Sequence, residues 1–220
     1  MQILTATDYN RLREGGRVIE ADGFGDKVII LQDGTFLKLF RRKRLLTSEL
    51  IWPYAMRFAE NAHALIQRGI PTVEIKSVYK IPSIERTGVH YRPLAGDTLR
   101  TWLGECNDLE RQHLVRDLGR FIAWLHRSGV YFRSLHMGNI LRMPDERFGL
   151  IDISDMRCHN YSLSETSRLR NFRHMTRYRD DIKLLGDSTA ILAESYNDMA
   201  GSSKGFQQKL DKLLADALAE

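Results

Sequence analysis

In the first third of the chain the apolar positions fall into short runs. Val28 to Leu31 and Thr35 to Phe40 are separated by Gln32-Asp33-Gly34, and Asp-Gly between two such runs predicts a hairpin of antiparallel strands. Lys38 is flanked there by Leu37 and Leu39, so it points to the face opposite its apolar neighbours. The period then changes. From Ser48 to Arg68, Ile51, Tyr54, Ala55, Phe58, Ala62 and Leu65 recur at helical spacing, and Gly69 with Pro71 ends the run. Asn61 lies on this stripe, whereas Glu49 and Glu60 project from the opposite face. Val73 to Lys80 and Val89 to Tyr91 are further strand candidates, and Arg92-Pro93-Leu94-Ala95-Gly96 reads as a hinge. Beyond it the pattern is helical. Asp108 is placed to cap a helix running to about Ser128, with Leu114, Leu118, Phe121, Ile122 and Leu125 on one face and Gly129 as the stop. Arg179 to Tyr196 and Gly205 to Leu218 read as two more amphipathic helices, the last burying Phe206, Leu210, Leu213, Leu214 and Leu218. The pattern predicts an α+β chain, with a small antiparallel-sheet region over 1–95 and a mainly helical one over 96–220.

Composition narrows the class without choosing a function. At 220 residues the chain can bury one good core or two small lobes, and its 43% hydrophobic content is that of a soluble globular protein. The two cysteines, Cys106 and Cys158, are too few for a disulfide framework or a zinc cluster, which favours a reducing compartment. Met1 to Asn10 has no basic start followed by an apolar core, and no apolar run approaches membrane-spanning length, so a cytoplasmic protein is expected. The net charge of +5 and pI near 9.3 favour anionic partners: nucleotides, phosphorylated glycans, membrane surfaces or nucleic acid.

The chemistry is concentrated between Gly129 and Asp155, GVYFRSLHMGNILRMPDERFGLIDISD. This stretch resembles a protein-kinase catalytic loop, H-R-D-L-x-x-x-N, followed by a hydrophobic strand that ends in the metal-binding Asp. Asn139 sets the register. Seven, six and five places before it stand Phe132, Arg133 and Ser134, where His, Arg and the catalytic Asp belong, and Phe148 to Ile151 lead into Asp152. Upstream, Asp22-Gly23-Phe24-Gly25-Asp26-Lys27-Val28 is an abbreviated glycine-rich loop, in which Gly23 and Gly25 are either turn residues or the approach for phosphates. Lys38, one strand on, is either a solvated strand lysine or the one that pairs with nucleotide phosphates.

Leu125-His126-Arg127-Ser128-Gly129-Val130, Ser134-Leu135-His136-Met137-Gly138-Asn139-Ile140-Leu141 and Leu150-Ile151-Asp152-Ile153-Ser154-Asp155 together resemble the L-H-x-x-G-V, D-L-H-x-x-N-I-L and L-I-D-x-x-D pattern of small bacterial kinases. The chain is most similar to the lipopolysaccharide core kinase family of Kdo and WaaP type. Tyr131 to His136 and Gly69-Ile70-Pro71-Thr72 are similar to a subgroup labelled toluene-tolerance proteins. The resemblance implies a two-lobed kinase-like fold, ATP and Mg²⁺ as cofactors, and Asn139 and Asp152 as metal ligands. A carboxylate and an amide carbonyl are the hard oxygen donors that magnesium takes. It also implies Gly23, Gly25, Lys38 and Tyr91 as nucleotide contacts, and it leaves open whether Asn61, Glu60 or nothing pairs with Lys38.

Ser134 is the departure from the pattern. A hydroxyl does not accept the acceptor's proton as a carboxylate does, and a positioned base contributes roughly 10²–10⁴-fold. Ser134 and Lys38 are the catalytic candidates, with His136 either a substitute base or a residue that holds the loop. Asp155 is either a turn cap or a second metal contact, Arg133 pairs with an anionic substrate or anchors the following segment, and His126 is expected to be structural. Arg41-Arg42-Lys43-Arg44 and the segment bearing Arg157, Arg168, Arg170, Arg173, Arg177 and Arg179 are solvated surface or steer an anionic substrate or membrane. The expected partners are a nucleotide, lipopolysaccharide core or another phosphorylated glycolipid, and the inner-membrane surface. Nucleic acid is disfavoured, because no zinc or helix-turn-helix signature accompanies the charge. The function expected is a kinase for a lipopolysaccharide core sugar; the rival is a pseudokinase scaffold.

Overall fold

The computed structural model describes residues 1–41 and 52–219. Expectations for Arg42 to Arg44, and for Ser48, Glu49 and Ile51 at the start of the first long helix, lie outside the described residues. The chain divides into two compact units, Met1–Leu94 with Asp152–Asp155, and Ala95–Ile151 with Met156–Glu220. The first is rich in sheet and the second in helix, the α+β organisation expected from the sequence.

The first unit contains β1 (Gln2–Ile3), α1 (Ala6–Arg13), β2 (Arg17–Asp22), β3 (Gly25–Ile30), β4 (Phe36–Arg41), α2 (Tyr54–Gln67), β5 (Glu74–Ile81) and β6 (Arg86–Arg92). Its six strands run in the order β1-β5-β6-β4-β3-β2, antiparallel except for the parallel pair of β1 and β5. The Asp-Gly turn forms as predicted. Ile30 faces Phe36 across the hairpin, and the Asp33 carboxylate accepts from Thr35 N at 3.0 Å. Strand alternation then sorts β4. Leu37 and Leu39 pack with Leu4, Tyr9, Ile29, Leu31 and Ile81 on one side, while the Phe40 ring stands 6.1 Å from that of Phe58 on α2. Lys38 is on the α2 side.

Among the described residues α2 begins at Tyr54 and not earlier, because Pro53 stands at its N-cap. A proline inside the first turns of a longer helix removes a hydrogen bond and disfavours helical geometry in the residue before it. The helix ends as the sequence implies: Gly69 takes φ 72°, and Ile70 N donates back to Leu65 O at 3.0 Å.

The second unit holds β7 (Asp97–Thr98), α3 (Leu99–Glu105), α4 (Asp108–Arg127), β8 (Val130–Phe132), β9 (Ile140–Arg142), β10 (Phe148–Leu150), β11 (Met156–Cys158), α5 (Glu165–Met175), α6 (Arg179–Leu185), α7 (Thr189–Ala200) and α8 (Lys204–Ala219). The strands form a three-stranded sheet, β10-β9-β7, and a pair, β11-β8. Three expectations are corrected. The cap of α4 is Asn107, in a reciprocal capping box with Glu110, and Asp108 is the first helical residue. Arg179 to Tyr196 is two helices, parted at Gly186 with φ 52°. On α8 the buried side is Phe206, Leu210, Leu214 and Ala217, and Leu218 is 36% exposed. Gly129 ends α4 with φ 77°, and a Cβ there would stand 2.2 Å from His159 O, so glycine alone fits.

Candidate functional site

In the first unit the glycine-rich segment is the turn joining β2 to β3, with Asp22 paired to Gly25. Phe24 N donates to the Asp22 carboxylate at 2.9 Å. Nothing lies within 4 Å of where a Gly23 side chain would begin, and Gly25 takes φ 109°. A residue that the sequence reading missed holds this turn from within. Arg86, only 8% exposed, donates to Asp26 O at 2.7 Å and to Phe24 O. The Arg41 guanidinium lies 3.4 Å from the centre of the Phe24 ring.

Lys38 Nζ lies 2.7 Å from Asp152 Oδ1, joining residues 114 positions apart in the chain. The ammonium is also 5.9 Å from the ring centres of Phe40 and Phe58, which shield it from solvent. The question of its partner is thereby settled. Glu60 turns away to accept from Trp52 Nε1 at 2.7 Å, and Asn61, buried on α2, donates to Ile153 O at 2.7 Å. Asn61 therefore ties the helix to the residue that follows Asp152. Asp152 itself takes φ 50°, a conformation that aspartate tolerates better than most side chains. Tyr91 is packed between Phe36 and Phe58, 5.7 and 5.4 Å away, and burial pushes its phenol up from the ordinary value.

In the second unit β8 leads through exposed Arg133 to Ser134. Asn139 closes this loop: its Nδ2 donates to Ser134 O at 2.9 Å, its backbone N to His136 O at 2.9 Å, and its carbonyl accepts from Ile151 N at 3.0 Å. With the amide nitrogen engaged, Oδ1 is the end of the side chain suited to a cation. His136 Nδ1 accepts from Gly138 N at 3.2 Å, and its ring lies 4.2 Å from that of Tyr178. These are loop-holding contacts. Asp181, 1% exposed, braces the same loop by accepting from Met137 N at 2.8 Å and from Arg100 through both carboxylate oxygens, at 2.6 and 3.0 Å. This residue too was missed. Its signal was a carboxylate on the face that buries Ile182 and Leu185.

His126 is structural, as expected. Fully buried, it bonds Tyr196 OH through Nδ1 at 2.8 Å and Asn171 Oδ1 through Nε2 at 3.2 Å, while Asn171 also bonds both backbone groups of Phe132. An amide oxygen only accepts, so Nε2 carries the proton and Nδ1 accepts from the tyrosine. Burial pushes this histidine down to about 3. The basic segment is corrected in part. Arg168 is 8% exposed and donates to Leu163 O, Ala200 O and Ser162 Oγ, and Arg179 donates to Ala217 O. Neither is a solvated steering charge, whereas Arg157, Arg170, Arg173 and Arg177 are exposed.

Asp152 in the first unit carries a carboxylate and Asn139 in the second an amide oxygen, each a donor type that magnesium takes. Among the described residues no group of three or more His, Cys, Asp or Glu side chains is arranged to hold a metal unaided. No helix among them is long and apolar enough to cross a membrane. A cavity of ≈ 550 Å³ between α7 and α8, lined by Glu194, Asn197 and Asp211 among others, contains none of the predicted site residues.

Residues 94–196 match the model of the lipopolysaccharide kinase (Kdo/WaaP) family. The matched stretch holds Ser134, His136, Asn139, Asp152 and Asp181; Gly23, Gly25, Lys38 and Tyr91 precede it. The match bears out the resemblance at the level of the family and does not reach the toluene-tolerance subgroup. No curated protein matches the chain.

Proposed function

We propose that this protein is an ATP- and Mg²⁺-dependent kinase-like protein whose acceptor is a sugar of the lipopolysaccharide core, acting at the cytoplasmic face of the inner membrane. The observation that carries the reading is the Lys38 to Asp152 ion pair at 2.7 Å. A strand lysine and the carboxylate after the β10 strand have no local reason to meet, and phosphate binding supplies one. Lys38, with the backbone of Gly23 and Gly25, would take the nucleotide phosphates, and Tyr91 would line the nucleotide. Asp152 and Asn139 are the proposed protein ligands of magnesium, which when bound neutralises phosphate charge. Arg86 keeps the glycine turn in shape, and Asp181 with Asn139 keeps the Ser134 loop in shape.

A second reading follows from Ser134 itself. Phosphoryl transfer depends mostly on positioning and charge stabilisation, so loss of the base slows it without abolishing it. His136 is the alternative base, although its Nδ1 already accepts a backbone N–H. A pseudokinase that binds nucleotide without transfer fits the same residues. Purified protein incubated with radiolabelled ATP and deacylated lipopolysaccharide core separates the two. Ser134→Asp is expected to raise label transfer by roughly 10²-fold or more, toward the range of a positioned base. Equal rates for Ser134→Asp and wild type would show that no proton leaves through that position.

A further inference from the structure

The face of the second unit that carries Tyr131 has a construction that the kinase reading does not use. In the β8-β11 pair, Met156 faces Phe132 and Arg157 faces Tyr131. Met156 and Phe132 are buried, so alternation sends Arg157 and Tyr131 together to the other face. There α5 and the turn after it add two more groups. His174 Nε2 is 3.0 Å from Tyr131 OH, and its Nδ1 is 3.3 Å from Arg177 Nη1.

Proton bookkeeping fixes what this cluster offers. A guanidinium only donates, so His174 Nδ1 accepts from Arg177, and the neutral ring then carries its proton on Nε2. That proton goes to the tyrosine oxygen. The phenol's own O–H is left to point outward as a donor, beside the remaining N–H groups of Arg177 and those of Arg157. Neither arginine has a carboxylate partner among the described residues. Every outward group therefore donates, and two of them are permanently cationic.

We propose that Tyr131 and Arg177, joined through His174, together with Arg157 opposite Tyr131 on β11, bind a phosphate monoester. Three donor groups on one face call for three oxygens, which a monoester has and a carboxylate lacks. Two guanidinium charges balance its charge of about −1.5 to −2 at neutral pH. Exposed Arg133 connects the Tyr131 strand to Ser134, so the monoester is assigned to the acceptor. That assignment rests on the kinase reading; the binding itself rests only on the cluster.

The test uses the full chain at low ionic strength, with glycerol phosphate in calorimetry as one arm and phosphatidic acid in phosphatidylcholine vesicles in co-sedimentation as the other. Arg157→Ala and Arg177→Ala are each expected to weaken binding about tenfold, as for lost charge-assisted bonds, and Tyr131→Phe about threefold. Arg157→Lys keeps the charge without the fork and should fall between, which preserves the test if an alanine variant misfolds. Arg116→Ala on α4 removes an equal charge elsewhere and should change affinity less than twofold. Losses confined to the cluster in the glycerol phosphate arm show that a free ester suffices. Losses seen only with vesicles assign the monoester to a lipid headgroup. Arg116→Ala matching Arg157→Ala in both arms would overturn the proposal, as would binding lost in Lys38→Met and kept in Arg157→Ala. The nucleotide-dependent thermal shift of wild type reads the kinase proposal separately, so failure of one is distinguishable from failure of the other.

Discussion

His126 shows how a residue of a kinase-like motif can serve the fold alone. Its pKa is pushed down to about 3 from 6.5 by burial. As pH falls below 6.5 the unfolded chain takes up a proton that the folded chain refuses. The stability contributed is full above that value and is lost toward pH 3, with a slope of at most about 1.4 kcal/mol per unit. His126→Gln lacks the titration, so wild type should be the more stable at neutral pH, with a gap that narrows between pH 6.5 and 4 in parallel urea titrations. A gap that stays constant would show that the imidazole is hydrated. Asn61 is the counterpart on α2. Asn61→Leu leaves the buried Ile153 carbonyl without its donor and should cost about 1–3 kcal/mol, read as a lowered urea midpoint. The sequence placed Asn61 on the buried stripe and Lys38 opposite the leucines, yet it could not pair them with their partners. Those lie 92 and 114 positions away, and no local pattern encodes a contact across such a distance.

Elements with a strong period or a strong stop were legible. The Asp-Gly hairpin, β5, β6, α4 and α8 follow from apolar spacing and from Gly34, Gly69 and Gly129. Those that failed lacked such a signal. All six residues of β2 are exposed, α1 buries only Tyr9, and β1 is a two-residue strand paired to a distant one. The break at Gly186 was overlooked because apolar residues recur on both sides of it. Helix packing adds a further test. On α4, a Cβ at Gly119 would lie 2.1 Å from Ser195 Oγ and 2.7 Å from Leu192 O on α7. A serine rotamer yields to it, whereas a backbone carbonyl does not. Gly119→Ala should destabilise by about 1–3 kcal/mol through overpacking, and Gly119→Ala with Ser195→Ala should recover only part of the loss. Full recovery in chemical denaturation would show that the hydroxyl alone sets the approach of α4 to α7.

For the whole molecule, the kinase-like motif from Leu125 to Asp155 was the most readable part, because its residue types at fixed spacing need no knowledge of the fold. The family match covers that motif. Arg86, which shapes the glycine turn of the first unit, and Asp181 and Asn171, which brace β8 and the loop after it in the second, were unreadable because each bonds main-chain atoms, and main-chain partners leave no mark on residue identity. On the proposed function, Lys38 and Asp152 meet because they handle a nucleotide and its metal. This is tested most directly by the thermal unfolding of wild type and Asp152→Ala with saturating ATP, in Mg²⁺ and in EDTA. Ligand that binds only the folded chain raises its stability, by about 2.7 kcal/mol at a hundred times the dissociation constant. A larger rise is expected for wild type with Mg²⁺ than with EDTA, and no such difference for Asp152→Ala. A wild-type melting temperature that ATP does not move under either condition would contradict the proposed function.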